Sequence, residues 1–142
     1  MLVDEAERDA AMALRFEVFV DEQAVPRDEE IDAHDETASH FGALQDGVLV
    51  GVARVLDAGG GVAKIGRVAV RRSARGTGTG RILMERVVEW CRAQGYHEAM
   101  LDAQVQVEDF YARLGFVSEG EVFVDAGIDH IRMRKRLTGS PA

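Results

Sequence analysis

Arg75-Gly76-Thr77-Gly78-Thr79-Gly80 places three glycines at alternate positions, between an apolar run (Ile65 to Val70) and an amphipathic one (Ile82 to Cys91). That pattern predicts a strand, a glycine loop and a helix. Glycine reaches positive φ and lets backbone N–H groups approach a ligand with no Cβ in the way. The helix start adds unpaired N–H donors and partial positive charge, so the chemistry indicated is the gripping of phosphate. The P-loop requires a Lys after its glycines, and none follows here. The dinucleotide fingerprint requires a third glycine where this chain has Arg81 or Leu83. Charge supports a polyanion: residues 64–86 hold Lys64, Arg67, Arg71, Arg72, Arg75, Arg81 and Arg86 against Glu85 alone.

What fits is Arg-x-x-Gly-x-Gly, with Arg75, Gly78 and Gly80 in its three slots. This resembles the coenzyme A pyrophosphate loop of the GNAT acetyltransferases. Downstream, Phe110-Tyr111-Ala112-Arg113-Leu114-Gly115-Phe116 resembles the (Phe/Tyr)-Tyr-x-x-x-Gly-Phe signature of the same superfamily. Gln104 stands seven residues before Tyr111, where those enzymes commonly carry Asn. The segment Arg15 to Pro26, then Glu30-Ile31-Asp32, Asp35 and His40, is similar to the N-terminal signature of the ElaA/YjcF-like branch. Ile65 to Val70, Asp102-Ala103-Gln104 and Gly127-Ile128-Asp129-His130 fit that branch too. Proteins of this kind open with a full β-strand, for which only Met1-Leu2-Val3 is available here.

The resemblance implies acetyl-CoA as cosubstrate and transfer of its acetyl group to a primary amine by direct attack. Arg75, Gly76, Thr77, Gly78, Thr79 and Gly80 would cradle the pyrophosphate, with Arg71, Arg72 or Arg81 as nearby cations. Backbone N–H groups of Val68, Ala69 and Val70, freed at a strand distortion, would stabilise the developing oxyanion. Gln104 would hydrogen-bond the pantetheine amides. Tyr111, whose phenol has an ordinary pKa of ~10, would protonate the departing thiolate. The base is less sharply marked. Many relatives place a Glu before the loop, near where this chain has Arg67. The carboxylates of Asp102 and Glu22 are the first candidates, then His40, His130 or a water chain; either histidine also suits a plain strand hydrogen bond. Two other readings stay open: an acyl-CoA-binding sensor without turnover, and an acyltransferase using a longer acyl donor.

These residues need a scaffold to position them. A first helix carries a broken apolar stripe (Ala6, Ala10, Ala13/Leu14, Val18), with Asp4 able to cap it and Val25-Pro26 ending it. An acidic loop or short helix follows from Arg27 to Thr37. Ser39–Gln45 and Val48–Leu56 read as strands joined by Asp46-Gly47, a hairpin signal. Val62–Val70 is a third strand whose Gly66 marks a bulge. A helix runs from about Thr79 to Gln94 and stops at Gly95. Glu98–Ala103 reads as a strand, Val107–Leu114 as a short helix, and Phe116–Val124 with Ile128–Arg136 as a last antiparallel pair. The fold class expected is α/β (α+β): the GNAT acyl-CoA N-acyltransferase fold, a mixed, mostly antiparallel sheet with helices on both faces, as one domain over residues 1–142.

The bulk numbers bound the rest. A chain of 142 residues, 46% apolar and 30% charged, suits one soluble globular core. No apolar run reaches membrane-span length, and the acidic N-terminus is unlike a signal peptide. A net charge of −8 argues against nucleic acid as main partner. The single Cys91 excludes an internal disulfide, fits a reducing cytoplasm and reads as core filler. Four His and one Cys do not group at metal-ligand spacings, and no metal site is expected. The strand Arg132–Arg136 reads as an exposed face rather than a second anion site. Residues 1–36 hold thirteen acids against three Arg, which suits a cationic small-molecule amine or a lysine-bearing peptide as acceptor. An exposed edge at Ser39–Gln45 leaves room for a homodimer.

Overall fold

The computed structural model describes residues 5–25 and 37–137. The expectations for a strand at Met1-Leu2-Val3, a cap at Asp4, the stop at Pro26 and the acidic segment 27–36, with Glu30, Ile31, Asp32 and Asp35, lie outside the described residues. Among the described residues six strands are formed: β1 (Ser39–Gln45), β2 (Val48–Gly59), β3 (Val62–Val70), β4 (Glu98–Gln104), β5 (Val117–Asp125) and β6 (Ile128–Arg136). They build one sheet in the order β1-β2-β3-β4-β6-β5, antiparallel except for the β3–β4 pair. Asp46-Gly47 closes the first hairpin with φ of 52° and 79°, the two positive values a type I′ turn requires. β1 and β5 lie at the two ends of this strand order.

The helices are α1 (Glu5–Arg15), running into a π-helix at Phe16–Glu22, then α2 (Thr79–Ala93) and α3 (Glu108–Arg113). Period decides which face each buries. α2 presents Leu83, Met84, Val87, Val88 and Cys91, a helical stripe packed on Phe41, Ala53, Val55, Ile65 and Leu101. Each large apolar side chain fully buried in this way contributes about 1.5–3 kcal/mol. α1 and the π-helix cover the other face, with Ala11, Leu14 and Val18 against Val52 and Ala69. Helices thus lie on both faces of the sheet.

Two departures from regularity shape the region above the glycine loop. β3 pairs with β4 only from Val62–Ile65 against Glu98–Leu101, and beyond that point the two strands continue without pairing to each other. In the same stretch β3 is bulged against β2: Arg54 faces Gly66 and Val52 faces Ala69, so Arg67 and Val68 together oppose Ala53. The positive φ of 52° falls on Arg67. Gly66 therefore signals the distortion without bearing it.

Candidate active site

β3 ends at Val70, and Arg72–Ala74 make one 3₁₀ turn that buries Ala74 beneath the loop. The three glycines then do different work. Gly76 and Gly78 sit at φ of 78° and 84°, where a side chain is strained. Gly80 is in the first turn of α2, where a Cβ would lie 3.4 Å from the Phe110 ring and 3.6 Å from a Val70 methyl. Its bare backbone lets the helix start pack against β3 and α3 together. The Thr77 hydroxyl donates to the Ala74 carbonyl (2.5 Å) and lies 2.8 Å from the Thr79 hydroxyl, fixing the loop path. The first intrahelical bond runs from Ile82 N–H to Gly78 O, and helix geometry leaves the N–H groups before it without an intrahelical carbonyl. No acid occupies the first turn of α2. A phosphate suits this cradle.

Arg75 is held by two acceptors. Its Nε donates to the Val70 carbonyl (2.9 Å) and one terminal nitrogen donates to the Glu22 carboxylate (2.7 Å). Arg72 lies 3.8 Å from the same Glu22 oxygen, and Arg71 is 3.4 Å from Glu17. Arg81 pairs with Glu85 at 3.0 Å and Lys64 with Asp102 at 3.8 Å. The cations concentrated between residues 64 and 86 are thus met largely by acids, three of those ion pairs reaching back to the π-helix. Sequence segregation of charge becomes contact in space.

Gln104, at the end of β4, forms a reciprocal amide pair with Gln23: each Nε2 donates to the other's Oε1, at 2.8 and 3.2 Å. Gln106 adds a donor to Gln104 Oε1 at 2.9 Å. Nothing in the sequence marked Gln23 as a partner.

Tyr111 and Asp102 lie on opposite faces of the sheet. Leu101 and Ala103 join the core that contains Tyr111, so the alternation of β4 turns Asp102 the other way. Tyr111 is buried, edge-on to Phe110 and Phe116 with centroids 5.0 and 6.1 Å apart. Burial pushes its phenol well above the ordinary value. Asp102 receives two bonds from Arg132, Nε to Oδ1 at 2.9 Å and Nη2 to Oδ2 at 3.3 Å. Hydrogen bonding to that carboxylate raises Arg132 above its ordinary value. His130 takes a strand-end contact, Nδ1 to the Ile128 carbonyl at 2.7 Å, and stacks on Phe123. His40 is buried in β1, in register with Arg54.

Strand Arg132–Arg136 departs from the exposed face expected of it. Met133 is fully buried, Arg134 pairs with Glu119 and Glu98 at 2.5 and 3.1 Å, and Lys135 donates to Leu114 O at 2.8 Å. Cys91 is fully buried, and desolvation pushes its thiol up to about 11. No helix among the described residues is long and apolar enough to cross a membrane.

A sheet that splays at its one parallel pair, a bulge beside the opening and a glycine cradle at a helix start together define an acyl-CoA N-acyltransferase fold. The family model for the acetyltransferase (GNAT) domain matches residues 3–137, and the chain belongs to that family. It is 38% identical over 130 residues to the uncharacterized N-acetyltransferase YjcF of Bacillus subtilis strain 168, covering 88% of this chain and 89% of the relative. Among solved structures, Escherichia coli ElaA matches with TM-score 0.85 and 31% identity, over 94% of this chain and 92% of that one. An acyl-CoA N-acyltransferase from Pseudomonas aeruginosa matches with TM-score 0.85 and 37% identity, over the same shares, 94% and 92%. Acyl transfer from an acyl-CoA is the activity this family supports.

Proposed function

We propose that the chain, as one domain over residues 1–142, uses acetyl-CoA to acetylate a primary amine by direct attack. The observation that carries this reading is the cradle from Arg75 to Gly80, with two positive-φ glycines and a third packed bare against Val70 and Phe110. The loop amides and Arg75 would hold the pyrophosphate, and Gln104 a pantetheine amide. The backbone of Val68, Ala69 and Val70, beside the bulge, would present N–H groups to the thioester oxygen.

The amine nitrogen forms its bond to the acetyl carbon as the carbon–sulfur bond breaks. One proton must leave the amine and one must reach the sulfur. Tyr111 supplies the second: a buried phenol with a raised pKa stays protonated across the working range, and transfer is concerted with sulfur departure because a buried phenolate is costly. Of the two carboxylates, Asp102 has both oxygens engaged by Arg132, which suits a post between β4 and β6. Glu22 is paired as well, but with Arg72 and Arg75, cations that a pyrophosphate would draw away, and we give it the proton-accepting role. Direct attack is supported by the one cysteine, Cys91, being buried with a raised pKa. The acceptor class is a small cationic amine or a lysine-bearing peptide, the compartment the cytoplasm, and an edge-paired homodimer is compatible with β1 and β5 ending the strand order among the described residues.

Calorimetric titration with acetyl-CoA, desulfo-CoA and ATP tests the cradle, followed by an amine screen read by thiol release. Binding of the two CoA ligands, but not ATP, and turnover with an amine are the expected results. Binding with no turnover for any amine or acyl donor would leave a sensor; no CoA binding by folded protein would overturn the reading.

A further inference from the structure

Two adjacent residues at the end of the π-helix reach two separate elements of the candidate site. Glu22 places a carboxylate 2.7 Å from Arg75 and 3.8 Å from Arg72. Gln23 pairs its amide reciprocally with that of Gln104, 81 positions away. Each contact offers its partner the group that the ligand would offer: an anionic oxygen for the arginines, an amide for the glutamine.

The hydrogen-bond inventory sets these contacts in competition with the ligand for the same groups. Gln104 Oε1 already accepts from Gln23 and Gln106, so both its lone pairs are spent. One of its two N–H groups is given to Gln23. Arg75 spends Nε on Val70 O and a terminal nitrogen on Glu22. A pantetheine N–H can donate to Gln104 Oε1 only if the Gln23 or the Gln106 bond opens. A pyrophosphate arriving at Arg75 and Arg72 meets a carboxylate of its own sign already seated there. The segment bearing both residues is also the irregular one: from Gln23 to Val25 the backbone bonds run to Val18, Val20 and Phe19, spacings of five, four and six residues. Such mixed spacing is the kind of local irregularity that collects at functional sites.

We propose that Glu22-Gln23 is an internal stand-in for the cosubstrate, a latch on Arg75 and Gln104 that acyl-CoA displaces. This rests on the acyl-CoA reading above. Displacement frees the Glu22 carboxylate from its arginines only once the thioester is in place, so proton acceptance is tied to cosubstrate binding. The closed latch lowers the apparent affinity for acyl-CoA by the fraction of molecules in which it is open.

The test is calorimetric titration of acetyl-CoA into wild type, Glu22→Gln, Gln23→Ala and the double variant, each confirmed folded by its thermal melt. Wild type is expected to bind, Glu22→Gln about fivefold more tightly, as expected for removal of a partly exposed ion pair. Gln23→Ala is expected to bind about threefold more tightly. A second readout uses wild type alone: acetyl-CoA should speed amide hydrogen exchange in residues 16–25. Weaker or unchanged binding in both single variants would mean that the pair orients Arg75 and Gln104, and would overturn the latch while leaving the acyl-CoA reading intact. Slower exchange at 16–25 on binding would overturn it too. If wild type itself binds no acetyl-CoA, the underlying reading fails and the latch with it.

Discussion

Asp102 and Arg132 face each other across the β4–β6 pair, and both oxygens of the carboxylate accept from one guanidinium, at 2.9 and 3.3 Å. Lys64 approaches the same carboxylate from β3 at 3.8 Å. One acid therefore ties three neighbouring strands just where β3 and β4 begin to part. Asp102→Asn should lower stability by about 1–2 kcal/mol, the range for a two-bond charged contact at a half-exposed site. Urea unfolding would measure this. Turnover should stay within about threefold of wild type; a loss of ~100-fold would return the base role to Asp102.

Gly78 caps α2 at φ 84°, with open space where a Cβ would be. Gly78→Ala therefore meets no clash, only backbone strain, and should cost about 1–2 kcal/mol. Acyl-CoA binding should suffer more than stability, because relief of the strain turns the loop amides away. Equal affinity in calorimetry would show that the loop does not hold the cosubstrate.

Tyr111→Phe removes a single hydroxyl from a well-packed ring. Acetyl-CoA affinity should change less than twofold while kcat falls about 100-fold, the loss of one general acid. The raised phenol pKa adds a pH prediction: the acid stays loaded, so wild-type kcat should show no descending limb from Tyr111 between about pH 8 and 10. A variant that keeps its kcat would reduce Tyr111 to core packing between Phe110 and Phe116.

Cys91 gives stability its own pH dependence. Its thiol rises from 9.0 to about 11 on folding, so below pH 9 both states are protonated and the full contribution is present. Between those two values the unfolded chain ionises and the folded one does not, and stability falls as pH rises, by about 2–3 kcal/mol at most. Urea midpoints from pH 8 to 11 should show a steeper decline in wild type than in Cys91→Val. Identical slopes would remove the cysteine from the account.

Where the sequence could be read, the signals were local and strong. Asp46-Gly47 announced its hairpin, Gly95 and Gly115 their helix ends, and the apolar stripe of α2 its buried face. β1, β3 and β6 fall at the limits their patterns indicated. Arg67 shows where such reading falters: the glycine beside it is visible in sequence, but which residue takes the left-handed conformation is settled by pairing with β2. The site was legible as a loop and a helix but not as a network. Glu22–Arg75 and Gln23–Gln104 join residues 53 and 81 positions apart, and no spacing rule connects them. The π-helix was equally hidden, since its apolar residues fit an ordinary helix as well.

The burial of Cys91 reaches into the assay bench. A chain with one thiol, sealed on the buried face of α2, contributes almost nothing to a thiol-reactive dye while it stays folded. Colour that develops in the presence of acyl-CoA and an amine then reports coenzyme A alone, without a protein blank that drifts. It also leaves the surface free for labelling: a cysteine introduced at an exposed position of β5, Val117 or Val124, would carry a probe at one known place without first removing the native one.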